Sequence, residues 1–177
     1  MTYYYKQRLR KNEFTRSLHL LFNYSKKIYN SSIFLNSNQR VSPENVIKEL
    51  KDDKNSIILG PQFTKTVVMK CEWDFINYER NNKNKEKNMV KPNYINQNSF
   101  ISIYKNSFYI NNNEIIIKLS KNIKDKHNIK DIHIKITNNF KSLKSLKNIR
   151  INIKNGEFYI IYVYTKNDKI VNSFENS

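Results

Sequence analysis

The stretch LGPQFTKTVVMKCEWDFINYERNNKNKEKNMVKPNY, Leu59–Tyr94, decides how the chain is divided. Gly60-Pro61 predicts a helix start, because proline at the first helical position gives up an N–H that has no partner there. Phe63, Val67, Cys71, Phe75 and Tyr78 then recur at spacings of four and three, which puts them on one helix face as a core seam. Gln62, Lys65, Thr66, Met69, Trp73 and Arg80 fall on roughly the opposite face. A face that only needed wetting would not carry a tryptophan and a methionine, so a second contact surface is expected there. Asn81 to Asn88 reads as an exposed loop, and Lys91-Pro92-Asn93-Tyr94 returns the chain to extended structure.

Upstream of this stretch the chain reads as one strand and then helices. Thr2 to Leu9 alternates, with Tyr3, Tyr5, Gln7 and Leu9 on one side and Tyr4, Lys6, Arg8 and Arg10 on the other, a strand with a basic second face. Asn12 is positioned to cap a long helix whose seam runs Phe14, Leu18, Leu21, Phe22, Ser25, Tyr29 and Ser32, with Ile28 and Ile33 beside it. Ser42-Pro43-Glu44 opens a shorter helix to about Leu50, and Asp52 to Ser56 reads as the turn before the central helix.

Downstream the period changes to two. Strands are predicted around Phe100–Tyr104, Ser107–Ile110, Glu114–Leu119 and Asp131–Thr137, with Asn111-Asn112-Asn113 as turn residues and a polar stretch over Ser120–Lys130. Ile149–Lys154, Asn155-Gly156 and Glu157–Tyr164 form a β-hairpin whose Asn-Gly turn needs positive φ at both central residues. The fold expected is α+β: a small antiparallel β-barrel of the oligonucleotide-binding kind, residues 1–11 and 91–166, with a three-helix insertion over 12–90 and a polar tail at 167–177.

Composition bounds the function. The 177 residues carry 32 Lys+Arg against 15 Asp+Glu, a formal charge of +17 spread along the chain, so a polyanionic partner is expected. An AT-rich coding bias would enrich lysine, asparagine and isoleucine, but it would not suppress acids. With Cys71 as the one cysteine no internal disulfide is possible, and no apolar run approaches the ~18 residues of a membrane span. A cytoplasmic, nucleoid-associated setting without membrane contact is expected.

Catalytic constellations are not apparent. His19, His127 and His133 lie far apart, without metal-ligand spacing. Glu72 and Glu79 flank the central helix seam and read as solvated helix charges. Glycine is confined to Gly60 and Gly156, which excludes a glycine-rich phosphate loop. What remains is cations interleaved with aromatics. Arg8, Arg10, Lys11, Lys26, Lys27, Lys65, Lys70, Arg80 and Lys91 can neutralise phosphates. Tyr29, Trp73 and Tyr94, with Tyr3 and Tyr4, can stack on bases, and Asn30, Gln62 and Thr66 complete the candidate nucleic-acid surface.

The order of these features resembles a known family. The opening strand, the helix LFNYSKKIYN (Leu21–Asn30), the Leu59-Gly60-Pro61-Gln62 start, the helix ending in aromatics, Lys91-Pro92-Asn93-Tyr94 and the hairpin INIKNGEFY (Ile151–Tyr159) are together similar to the N-terminal half of TnpB. TnpB, or OrfB, is the transposon-encoded RNA-guided DNA nuclease long described as a transposase of insertion sequences and related to type V CRISPR effectors. Gln62 matches a glutamine of the family's helix start, whereas Lys65 and Thr66 stand where further glutamines often fall.

The resemblance implies a wedge β-barrel with a helical recognition insertion, gripping guide RNA, heteroduplex and a short DNA motif while base pairing reads the target. It also implies a RuvC-type nuclease domain after the hairpin, begun by an Asp-x-Gly strand and dependent on magnesium. The sequence reaches Ser177 without that strand. The expectation is therefore a truncated or split member that binds RNA or DNA, has no catalytic residue and needs no cofactor of its own. A stand-alone regulator binding RNA or single-stranded DNA, and a nuclease half completed in trans by a separately encoded domain, stay open as alternatives. Without a nuclease domain, apolar surface is expected near Tyr162 and Tyr164.

Overall fold

The computed structural model describes residues 1–83, 90–137 and 146–165. The order is β1 (Thr2–Arg8), α1 (Thr15–Leu35), α2 (Pro43–Glu49), α3 (Lys54–Leu59), α4 (Pro61–Lys83), β2 (Phe100–Tyr104), β3 (Phe108–Asn111), β4 (Glu114–Ile117), α5 (Lys121–His127), β5 (Ile132–Lys135), β6 (Leu146–Lys154) and β7 (Glu157–Thr165). The class is α+β with antiparallel strand pairing, as expected. Two compact units result. One holds Met1–Asn12, Ser99–Ile117 and the described residues from His133 on; the other holds the described residues of Glu13–Asn98 and Lys118–Ile132.

In the β unit, the strands pair in the order β1-β7-β6-β2 and, separately, β3-β4-β5. The hairpin turns as its sequence requires, with Asn155 at φ 52°, Gly156 at φ 75° and Lys154 opposite Glu157. Alternation then sorts most side chains, the pairing of β6 with β7 being irregular between Leu146 and Asn148. On one face of the larger sheet Tyr5, Tyr162, Ile149 and Ile103 meet across four strands and build the core. On the other, Tyr4, Lys6 and Arg8 of β1 are exposed, so the predicted basic face exists. Tyr162 is fully buried and Tyr164 is half-buried, its ring stacked on Tyr3 at 5.7 Å. The open apolar surface expected near these two residues is therefore filled by the unit's own tyrosines.

Gln7 joins the two sheets. Its Nε2 donates to the Lys135 carbonyl at 2.9 Å at the end of β5, while its Oε1 accepts from the Thr137 N–H at 3.4 Å. Ladder bonds connect the described strands as two sheets rather than one ring, and this carboxamide substitutes for a backbone bridge between their edges.

In the helical unit, α1 buries Leu18, Leu21, Phe22, Ile28, Tyr29 and Ile33 at three- and four-residue spacing, and α4 buries Phe63, Val67, Cys71 and Phe75 as its seam predicts. Burying apolar side chains of this size stabilises by about 1.5–3 kcal/mol each. Helix α1 starts at Thr15, with Phe14 rather than Asn12 in the cap position and no side-chain cap bond. Ser42 caps α2 as predicted, its hydroxyl accepting from the Asn45 N–H. The turn expected over Asp52–Ser56 is instead the start of α3, capped by Asp53, whose Oδ1 accepts from the N–H groups of Asn55 and Ser56. The polar stretch from Ser120 is also helical, as α5, with Ser120 as N-cap and Asn128 closing it at φ 51°. Helix α4 takes up Asn81–Lys83 from the expected loop, and the rest of that loop and the tail from residue 167 lie outside the described residues.

Two stretches beyond 12–90 group with the helices for visible reasons. Asn30 spends both ends of its amide on the backbone of Ile95, its Nδ2 donating to the carbonyl at 3.0 Å and its Oδ1 accepting from the N–H at 2.8 Å. Ser120 donates to the Ile58 carbonyl and Asn122 to the Ile57 carbonyl, which fastens α5 to α3.

Candidate nucleic-acid interface

On α4 the residues opposite the seam form a continuous stripe. Gln62, Lys65, Trp73 and Arg80 are exposed, and Thr66 and Met69 are half-buried among them. Thr66 Oγ1 donates to the Gln62 carbonyl at 3.0 Å, which turns its hydroxyl back into the helix. Trp73 is 52% exposed, a large apolar surface left in water on a helix that has core positions available for it.

Of the remaining candidates, Lys27 and Lys91 are exposed, Lys26 is half-buried and Arg10 and Lys11 are exposed after β1. The Lys27 Nζ lies 5.2 Å from the Tyr24 ring centroid. Arg8 is exposed but pairs with Glu157, and Lys6 Nζ sits 4.4 Å from the Tyr159 centroid in the same face. The cations on β1 are therefore held in place before any ligand arrives.

Two candidates are committed to the core. Tyr29, expected to stack on bases, is 3% exposed, and its hydroxyl donates to Asp74 Oδ2 at 2.6 Å. Burial first, and the Asp74 carboxylate second, push its phenol well above the ordinary tyrosine range. Lys70 completes this group, with Nζ 2.9 Å from Asp74 Oδ2. Tyr29 lay on the seam in the sequence, and the seam assignment prevails over the stacking one. Asn30 is spent on Ile95, so its amide acts inside the protein.

Tyr94, 57% exposed, lines two clefts of the helical unit. One, of about 390 Å³, runs between Asn30, Phe34, Glu49 and Leu50, and the other, of about 220 Å³, between Ile33, Phe75 and Lys91–Asn93. Phe34, 65% exposed on the first cleft, is an aromatic that the sequence reading passed over. Its position one residue past Ile33, off the α1 seam, is the signal that could have found it.

Glu72 and Glu79 are not simply solvated. Arg40 binds both, Nη2 to Glu72 Oε2 at 2.9 Å and Nε to Glu79 Oε1 at 3.0 Å, while Nη1 donates to Asn36 Oδ1 at 2.8 Å. Its guanidinium lies 4.4 Å from the Phe75 ring centroid. The single guanidinium thus offsets one of the two negative charges on this side of α4, which lessens a repulsion that would face an approaching polyanion.

No group of histidine, cysteine and carboxylate side chains that could hold a metal ion occurs among the described residues. His127 faces the Tyr24 hydroxyl through Nε2 at 2.8 Å; partial burial and then Lys126, Arg16 and Lys27 lower its pKa. His133 Nδ1 lies 3.1 Å from Glu114 Oε2. Cys71 is buried, and burial followed by Asp74 pushes its thiol up to about 12, which leaves it unreactive at neutral pH. No helix is long and apolar enough to cross a membrane among the described residues.

No family model matches the sequence, and no curated protein does. Among solved structures, the chain is similar to a chain of the cryo-EM structure of the Cas12f1-sgRNA-target DNA complex, with 17% identity and a TM-score of 0.48. The match covers 95% of this chain and 49% of that one, so this chain spans about half of that chain's length.

Proposed function

We propose that these residues form a nucleic-acid-binding recognition module of the TnpB type, which holds RNA and DNA without cutting them itself. The observation that carries the reading is Trp73, half exposed on the α4 stripe between Lys65 and Arg80 in a chain of formal charge +17. A tryptophan gives a base a ring to stack on, and the cations to either side along the helix offer phosphate contacts. The ordered likeness of the sequence to the N-terminal half of TnpB supports a guide RNA and target DNA as the partners. In this reading catalysis, and the magnesium it needs, belongs to a nuclease domain supplied elsewhere.

Trp73 is the chain's single tryptophan, so its fluorescence reports on this surface alone. Titration with a single-stranded oligonucleotide should quench it. For four neutralised phosphates on a single strand, affinity should fall roughly 50-fold between ~50 and ~200 mM salt. Trp73→Ala should weaken binding by about 1–3 kcal/mol without unfolding the protein. Absence of both quenching and salt dependence sinks the reading. Cleavage of DNA by the purified chain with magnesium would refute the claim that it only binds.

A further inference from the structure

Two exposed aromatic rings of the helical unit lie outside the α4 stripe, and the fold brings them to one cleft. Asn30 and Phe34 lie one turn apart on the same face of α1. The Asn30 carboxamide bonds both the N–H and the carbonyl of Ile95, which fixes the preceding residue, Tyr94, beside that face. Phe34 and Tyr94 thus line the cleft of about 390 Å³, to which Leu35 and the buried Leu50 add apolar surface. Exposed apolar surface gathered in one concave patch marks an interaction site.

The charge of this cleft runs against that of the chain. Among 32 lysines and arginines, the charged residue that lines it is Glu49, at the last position of α2 and so at the negative end of that helix. Lys48 and Lys51 flank Glu49 in sequence without lining the cleft, and Lys27, one turn before Asn30, lies against the Tyr24 ring. Glu49 makes no ion pair or hydrogen bond among the described residues. An unpaired carboxylate beside two ring faces repels a phosphate and attracts a cation.

Tyr94 also lines the cleft of about 220 Å³, where the buried Ile33 and Phe75 are apolar and Lys91 is the charged residue. The two clefts share one ring and carry opposite charges.

We infer that this pair of clefts docks a short segment of another protein. The segment places an arginine against Phe34, Tyr94 and Glu49, an apolar side chain against Ile33 and Phe75, and a carboxylate at Lys91. Arginine suits the first cleft because its flat guanidinium lies on rings and forks onto a carboxylate. Opposite charges at the two clefts fix the direction in which the segment lies. Charges beyond about 8 Å are screened at ~0.15 M salt, so the chain's +17 does not override these local contacts. The inference is independent of the nucleic-acid reading, since no residue of the α4 stripe lines either cleft.

The test is calorimetric titration of the full chain with capped synthetic peptides that carry arginine, leucine and glutamate separated by alanine spacers, made in both orders. One order should bind at least roughly 5-fold more tightly than the other, and replacing its arginine by glutamate should weaken it as much. Phe34→Ala should weaken binding roughly 5- to 30-fold and keep the urea midpoint, because the ring is exposed. Glu49→Lys should lose the arginine peptide and gain the glutamate-substituted one, an exchange of preference that a merely structural glutamate would not produce. No binding in either order, equal binding of all the peptides, or unchanged affinity in both variants overturns the inference. Displacement of the peptide by a single-stranded oligonucleotide assigns the clefts to nucleic acid and overturns it too. A wild-type dimer in sedimentation that Phe34→Ala dissolves assigns them to a second copy, with the same result. Quenching of Trp73 by oligonucleotide is read separately, so failure here leaves the α4 reading standing.

Discussion

The Tyr162 hydroxyl donates to Gln7 Oε1 at 2.6 Å, so the largest fully buried side chain of the β unit is satisfied by the same carboxamide that joins the sheet edges. Gln7→Leu would keep the volume and take the carboxamide away from three groups. Water can reach the exposed Lys135 carbonyl and Thr137 N–H, but it cannot readily serve the part-buried Tyr162 hydroxyl. A buried polar group left unpaired costs about 1–3 kcal/mol, and a loss of that size in urea unfolding is expected. Tyr162→Phe removes only one bond and should cost less. Equal or smaller loss in the Gln7 variant would show that the carboxamide is incidental.

The same burial sets an alkaline limit. Cys71 is pushed up to about 12, and Tyr29 and Tyr162 are raised well above the ordinary tyrosine value, in each case mainly by desolvation. Each group holds its proton in the folded state at a pH where the unfolded chain has lost it. Stability from these groups is therefore complete below about pH 8.5 and falls as pH rises through the unfolded values and on to the folded ones. Urea midpoints at about pH 8 and about pH 10.5 should differ clearly, and Tyr162→Phe should flatten the decline. A decline of unchanged slope in that variant would assign the effect to other groups.

The sequence shows a feature where one side chain repeats at a period, and hides it where structure depends on partners far along the chain. The α4 seam, the Asn155-Gly156 turn and the basic face of β1 follow from local spacing and turn chemistry, and all are present. Helix α5 escaped because it buries a single apolar residue, Ile123, and so has no seam to read. The capping roles of Ser120 and Asp53 were the available signals. Arg40 escaped because it lies in the connection between α1 and α2 while its partners, Glu72 and Glu79, lie on α4, and Tyr29 was misassigned because a buried ring and a stacking ring look alike in sequence.

Arg40 spans two carboxylates that a lysine could not bridge together. Arg40→Ala should destabilise the helical unit by about 1–3 kcal/mol, since charged hydrogen bonds are lost but the pairs are partly exposed and screened. Arg40→Lys should recover less than half of this, because an ammonium lacks the planar fork and the flat contact with Phe75. Full rescue by lysine would reduce the interaction to net charge. High salt should narrow the gap between the wild-type chain and the alanine variant.

Gly60 links α3 to α4 at φ 94° and ψ 160°, a backbone region that only glycine occupies without strain. A side chain there also has no room, because a Cβ would lie 2.8 Å from the Ser120 Cβ. Gly60→Ala should therefore cost about 1–3 kcal/mol from the backbone, with the overlap added. Ser120→Gly alone also destabilises, since the Ser120 hydroxyl accepts from the Ile123 N–H and donates to the Ile58 carbonyl. The double variant relieves the overlap but not the backbone strain. Its loss in urea unfolding should be smaller than the sum of the two single losses and larger than that of Ser120→Gly alone. A strictly additive pair would mean that the two residues do not touch, and an unharmed Gly60→Ala would mean that the linker adopts another backbone conformation.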